Sequence, residues 1–187
     1  WYQSSIHGPY LQAIFDWVVA NAATVRELVL LGDVVDLWTY PCNVKPPSFA
    51  TIAETNPDIF GPNGGLSRVM DALGGGVTYV PGNHDMAVTQ ADVSVVRSKD
   101  GHQLAFAQSP YSPGIDHRVL LAHGNDYTLF NAPDLTTKWA PLPVGHFVTR
   151  AVASHWATHL KEGQNVAQLA GQGLSLIHIS EPTRQAE

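Results

Sequence analysis

The sequence predicts an α/β fold with a parallel sheet, and three observations lead there. Apolar runs at Leu28–Leu31, Val77–Val80 and 119–121 lead into Gly32, Pro81-Gly82 and Ala122, each followed by polar side chains of metal-ligand type. A run of about four apolar residues ending this way reads as a buried strand leaving the sheet at a loop. Helical patterns alternate with the runs, as crossover connections between parallel strands require. The three strand ends then place Asp33, Asn83, His84 and His123 on one carboxyl edge, where open α/β sheets build their sites.

In chain order, residues 9–22 put Leu11, Ile14, Phe15, Val18 and Val19 on one helical stripe, with Pro9 suited to a helix start. Leu28–Leu31 is the first strand. Residues 37–60 read as a long loop bearing Pro and aromatic residues, too long for a simple connector and so a candidate functional loop. Residues 65–73 form a short helix, ended by Gly74, Gly75 and Gly76, which turn the chain into strand 77–80. Residues 102–107 and 118–121 read as two further strands across a turn-rich SPYSPG segment, and 143–160 and 164–170 as helices. Residues 125–173 read as a helical cap or insert. Leu129, Phe130 and the 139–147 region are an expected apolar cap or packing surface.

Length suits one domain with a real core. With 44% hydrophobic and 14% charged residues, the composition is that of an ordinary globular chain. No apolar stretch approaches the roughly 20 residues of a membrane span, and no signal-like segment follows Trp1. The single cysteine, Cys42, excludes an internal disulfide and a cysteine zinc knuckle and fits a reducing, cytoplasmic compartment. A net charge of −6 without any Lys/Arg cluster argues against a nucleic-acid partner, which needs a basic footprint.

Residues 174–187, LSLIHISEPTRQAE, translate a transposon-type sequencing adapter and are expected to be read-through rather than natural protein. The natural sequence is then expected to end near Gly173, and His178 is not a candidate ligand.

The chemistry lies in GDVVD (32–36), GNHD (82–85) and AHGND (122–126). One carboxylate, Asp33, has an oxygen to offer each of two divalent ions. Asn83 offers an amide oxygen and His123 an imidazole nitrogen, a mixed O/N set suited to Mn, Fe, Zn or Co. Two such ions would share a hydroxide and clamp a phosphate. His84 would protonate the leaving oxygen, with Asp85 and Asp36 holding the ring and the loop. Other histidines fit worse: His146 sits at a helix start, and His155 and His159 have Trp156 where a helical zinc protease carries Glu.

The three blocks in this order resemble the calcineurin-like metallophosphoesterase superfamily. GDVVDLW and LLAHG lean toward its bacterial branch of UDP-2,3-diacylglucosamine pyrophosphatases. The resemblance covers roughly residues 25–130 and implies a four-layer β-sandwich flanked by helices. It also implies metal ligands Asp33, Asn83 and His123, a catalytic His84 steadied by Asp85, and a substrate that is a phosphoester or pyrophosphate. The family's Asp-x-His before the first helix and its late Gly-His-x-His are absent; Ser5-Ile6-His7 has the first spacing with Ser for Asp. Residues 1–173 are therefore expected to be a partial domain lacking the first strand and the last strands, and a poor catalyst as it stands. The alternative is a non-catalytic scaffold that keeps the fold without one metal site.

Overall fold

Leu28–Leu31 and Val77–Val80 are short apolar runs, the second rich in β-branched residues, and in the computed structural model they form β1 and β2, paired in parallel with Leu28 opposite Val77 and Leu31 opposite Val80. The structure describes residues 4–114 and 118–156. A two-residue β3, Ala105–Phe106, adds to the other edge of β2, giving a three-stranded parallel sheet in the order β1-β2-β3. The chain is thus mixed α/β with a small parallel sheet, and among the described residues no helix is long and apolar enough to cross a membrane.

Every residue of β2 is buried, as a central parallel strand requires. Tyr79 is its largest side chain, with Phe49 edge-on at 5.8 Å and Phe106 stacked at 6.5 Å. Around it lie Val69, Met70 and Leu66 from α4 (Gly65–Ala72) and Phe15 and Val18 from α1 (Ser4–Ala20). Burying side chains of this size contributes about 1.5–3 kcal/mol each.

Several elements depart from the sequence reading. α1 begins at Ser4 and runs through Pro9, its sixth residue, instead of starting there; at that position the proline removes one intrahelical amide donor from the second turn. The expected loop 37–60 holds α2 (Phe49–Thr55) and α3 (Pro57–Phe60). The Ser48 side chain caps α2 by accepting from the Thr51 amide, Pro57 starts α3, and Phe49 and Phe60 carry both into the core. A four-residue α5, Gln90–Val93, is set by a capping box of Thr89 and Asp92. The expected strand 102–107 shrinks to β3.

The expected strand 118–121 is not part of the sheet. Its one ladder contact is an isolated antiparallel bridge between Leu121 and Tyr111, and Leu120 is 68% exposed. His123 therefore reaches the site from a loop. α6 spans Val144–Trp156, close to the expected start at 143. Leu129, Phe130 and Trp139 are exposed, so they are not core packing. The expected helix 164–170, His159 and the 174–187 tail lie outside the described residues.

Candidate metal and phosphate site

The two parallel strands end side by side, and the loops that follow are laced to each other through two carboxylates. Gly32 continues the pairing one step past β1, its amide donating to the Val80 carbonyl at 2.7 Å. Gly32 and Asp33 then take positive φ, 76° and 54°, a turn that glycine enters freely and aspartate tolerates better than most residues. This turn aims the Asp33 side chain across the edge. Its Oδ1 accepts the His84 amide at 2.8 Å, and its Oδ2 lies 3.1 Å from His123 Nε2.

Asp85 returns the contact. It is 0% exposed, and its Oδ1 accepts from the amides of Gly82 (2.6 Å) and Asp33 (3.2 Å). Its Oδ2 accepts from the Val34 amide (2.9 Å) and the Tyr79 hydroxyl (2.5 Å). Burial and the adjacent Asp85 charge raise the Tyr79 pKa far above that of an ordinary phenol, keeping it a donor. Asp85 thus binds the β1 loop to the β2 loop, and Asp33 binds the β2 loop to the β1 loop.

The loops approach so closely that only glycine fits at two positions. A Cβ on Gly32 would fall inside the His123 imidazole, and one on Gly82 would lie 2.7 Å from His123 Cδ2 and 2.8 Å from the Asp33 amide nitrogen. All three sequence blocks therefore meet within van der Waals contact.

The His84 ring is held by Asp36, not by its chain neighbour Asp85. His84 Nδ1 is 2.9 Å from Asp36 Oδ1, and the ring stacks on Trp38 with centroids 4.5 Å apart and planes at 24°. Asp36 Oδ1 also accepts the amides of Trp38 (2.9 Å) and Thr39 (3.0 Å), and its Oδ2 takes the Thr39 hydroxyl. Burial pushes the Asp36 carboxyl up, but these bonds outweigh it and hold the group well below the usual carboxylate range. The Asp36 hydrogen bond in turn raises His84 above an ordinary imidazole, against the opposing effect of burial.

His123 and Asp33 carry donor atoms of the kind that bind a divalent ion. His123 Nδ1 lies 3.2 Å from the Leu31 carbonyl oxygen, the outer hydrogen bond that metal-bound histidines usually make. With that proton on Nδ1, the Nε2 lone pair faces a carboxylate oxygen 3.1 Å away, and only a cation, proton or metal, relieves the repulsion. Two ligands about 2.1 Å from one ion and at right angles lie about 3.0 Å apart, so the pair fits. Asn83, 3% exposed, adds an amide beside Gly82. Among the described residues no group of three or more His, Cys, Asp or Glu side chains is placed to hold an ion. Asp33 and His123 thus form a facing pair of candidate donors, with Asn83 buried next to them in the β2 loop as a third candidate.

Beside His84 opens a cleft of about 880 Å³, walled by Trp38, Lys45, Pro46, Met86, His146 and Arg150 among others, with no carboxylate in its lining. His146 and Trp38 meet edge-on at 5.3 Å, and His146 Nδ1 is buried without a hydrogen-bond partner. Burial, with the charges of Arg150 and His84, pushes His146 below the ordinary imidazole value. Sequence reading set His146 aside and did not single out Trp38 or Arg150. Comparison with family models, curated proteins and solved structures found no match for this chain.

Asp85→Ala leaves three amides without their acceptor and is expected to cost about 3–5 kcal/mol, against about 1 kcal/mol for Tyr79→Phe, by urea denaturation. Gly32→Ala adds an overlap with His123 to the strain of positive φ, so its stability loss should exceed that of Gly124→Ala, where φ is 96° but the space is open. The His84–Asp36 pair is fully formed between the unfolded values of 3.8 for the acid and 6.5 for the imidazole. With chelator present, the destabilisation by Asp36→Asn should therefore be largest in that window. It should shrink as pH rises through the raised His84 value, as denaturation at a series of pH values would record.

Proposed function

We propose that the chain is part of a calcineurin-like metallophosphoesterase, with the four-layer sandwich of that superfamily, hydrolysing a phosphoester or pyrophosphate bond. The observation that carries the reading is the meeting of Asp33, His84 and His123 across loops from three separate blocks, packed so tightly that Gly32 and Gly82 admit no side chain. The GDVVDLW and LLAHG runs favour the UDP-2,3-diacylglucosamine pyrophosphatase branch within that superfamily. A cytoplasmic location belongs to the same proposal and is supported by the lone Cys42.

Divalent ions held by Asp33, Asn83 and His123 would supply Lewis acidity toward a phosphoryl group and lower the pKa of water. The chain's own residues supply the rest. His84 keeps Nδ1 on Asp36, so Nε2 is the nitrogen that passes a proton to the leaving oxygen. Asp36 stabilises the imidazolium before transfer, and Trp38 limits rotation of the ring. The adjoining cleft, with Lys45 and Arg150 and no carboxylate, accommodates an anionic leaving group better than a cationic one.

A non-catalytic scaffold is the second reading, favoured by the absence of a three-residue His/Cys/Asp/Glu group among the described residues. Protein expressed from the complete reading frame separates the two. The proposal expects Mn²⁺-dependent hydrolysis of aryl phosphates that chelator abolishes. Asp33→Asn and His123→Ala should weaken metal binding. His84→Ala should lower kcat about 10²–10⁴-fold on esters with poor leaving groups. Metal-loaded protein without turnover of any phosphate ester would leave the scaffold.

A further inference from the structure

α6 directs three polar side chains at the segment 38–44 and leaves several apolar ones in solvent. His146, Arg150 and Ser154 recur every fourth residue and share one face of the helix, while Val148 and Val152 are 51% and 44% exposed. All three polar residues touch the segment 38–44. The His146 ring meets Trp38 edge-on at 84°. Arg150 Nη2 donates to the carbonyl oxygens of Val44 (2.7 Å) and Pro41 (2.8 Å), with a longer contact to Cys42 (3.3 Å). Ser154 Oγ accepts the Cys42 amide at 2.7 Å and donates to the Arg150 carbonyl at 2.8 Å.

The upstream end of this segment is anchored by buried Trp38 and by the Asp36 bonds to Trp38 and Thr39, whereas its far end carries the turn from Val44 to Pro41, and Cys42, Asn43 and Val44 are exposed. At its upstream end stand Asp36 and Trp38, the two residues that fix the His84 ring. The Asp36 side chain is bonded to Trp38 and Thr39 of the same stretch, so a shift of 38–44 is transmitted to the carboxylate.

We propose that α6 positions His84 from a distance: Arg150, with Ser154 and His146, pins the 38–44 segment and thereby keeps Asp36 and Trp38 against the imidazole. The consequence for catalysis rests on the phosphoesterase reading, whereas the mechanical link does not. Arg150 suits the task because its planar guanidinium fixes the directions of the two Nη2 hydrogens that meet the Pro41 and Val44 carbonyls, whereas the N–H bonds of a lysine ammonium rotate freely on a flexible stem. The same helix walls the cleft, so occupancy of the cleft and orientation of the candidate acid are coupled through one element.

The test uses protein from the complete reading frame and two readouts. Stacking on Trp38 displaces the His84 ring protons upfield in the NMR spectrum, and Trp38→Leu defines the unstacked values. Arg150→Gln and Arg150→Lys should move those protons most of the way to the unstacked values, with Val152→Ala, on the solvent side, unchanged. In Mn²⁺, Arg150→Gln should lower kcat on phenyl phosphate about tenfold and on p-nitrophenyl phosphate by less than about twofold, since only the poorer leaving group needs the proton.

Ring protons unmoved in folded Arg150→Gln protein would overturn the positioning. Should that variant not fold, Ser154→Ala removes a single bond to the segment, and unmoved ring protons there overturn it equally. Equal loss on both esters would remove the link to proton transfer. A wild type that hydrolyses neither ester would remove the phosphoesterase reading and leave the ring protons to decide the positioning.

Discussion

The Asp85 carboxylate accepts from amides on both strand-end loops, and the geometry of the site follows from that shared acceptor. A parallel pair of strands brings two loops to the same edge but does not fix how they lie there. Here Asp85 holds the Asp33, Val34 and Gly82 amides, and the Asp33 carboxylate holds the His84 amide in exchange. Buried bonds to an ionised acceptor contribute about 1.5–3 kcal/mol each, enough to hold Gly32 and Asp33 at positive φ. With the loops closed, His123 enters over Gly32 and Gly82 and faces Asp33.

Four acidic and imidazole groups thereby divide the work by position rather than by type. Asp33 and His123 face each other as candidate ligands, Asp85 holds backbone, and Asp36 holds the His84 ring. The division explains why a carboxylate next to His84 in the chain does not support its ring. Asp85 points into the core toward Tyr79, while His84 turns out toward Trp38 and the cleft. The outward side is partly solvated, which the proposed role of His84 requires. The inward side is dry, as a structural acceptor should be.

Much of this was legible in the chain. β1, β2 and α4 announce themselves through apolar runs and the glycines after 73, and the motif blocks single out Asp33, Asp36, Asn83, His84, Asp85 and His123 without reference to the fold. The helices at 49–60 were hidden because seven- and four-residue helices carry too few turns for a periodic signal. The run expected as a strand at 118–121 instead pairs with Tyr111 through a single antiparallel bridge and leaves Val119 and Leu120 exposed. Asp36 and Asp85 could not be sorted, since hydrogen-bond partners 48 and 51 residues away leave no local trace. The role of α6 did leave a trace. The four-residue spacing of His146, Arg150 and Ser154 beside an apolar stripe marks a polar inner face, although the surface it grips is more than 100 residues upstream.

The measurement that bears most directly on the account is anomalous diffraction at the manganese edge from crystals of the complete protein grown with Mn²⁺. The expected result is an anomalous peak bonded to both Asp33 Oδ2 and His123 Nε2, with Asn83 in contact. Crystals saturated with Mn²⁺ that show the Asp33–His123 pair closed on itself, and the ion elsewhere or absent, would contradict it.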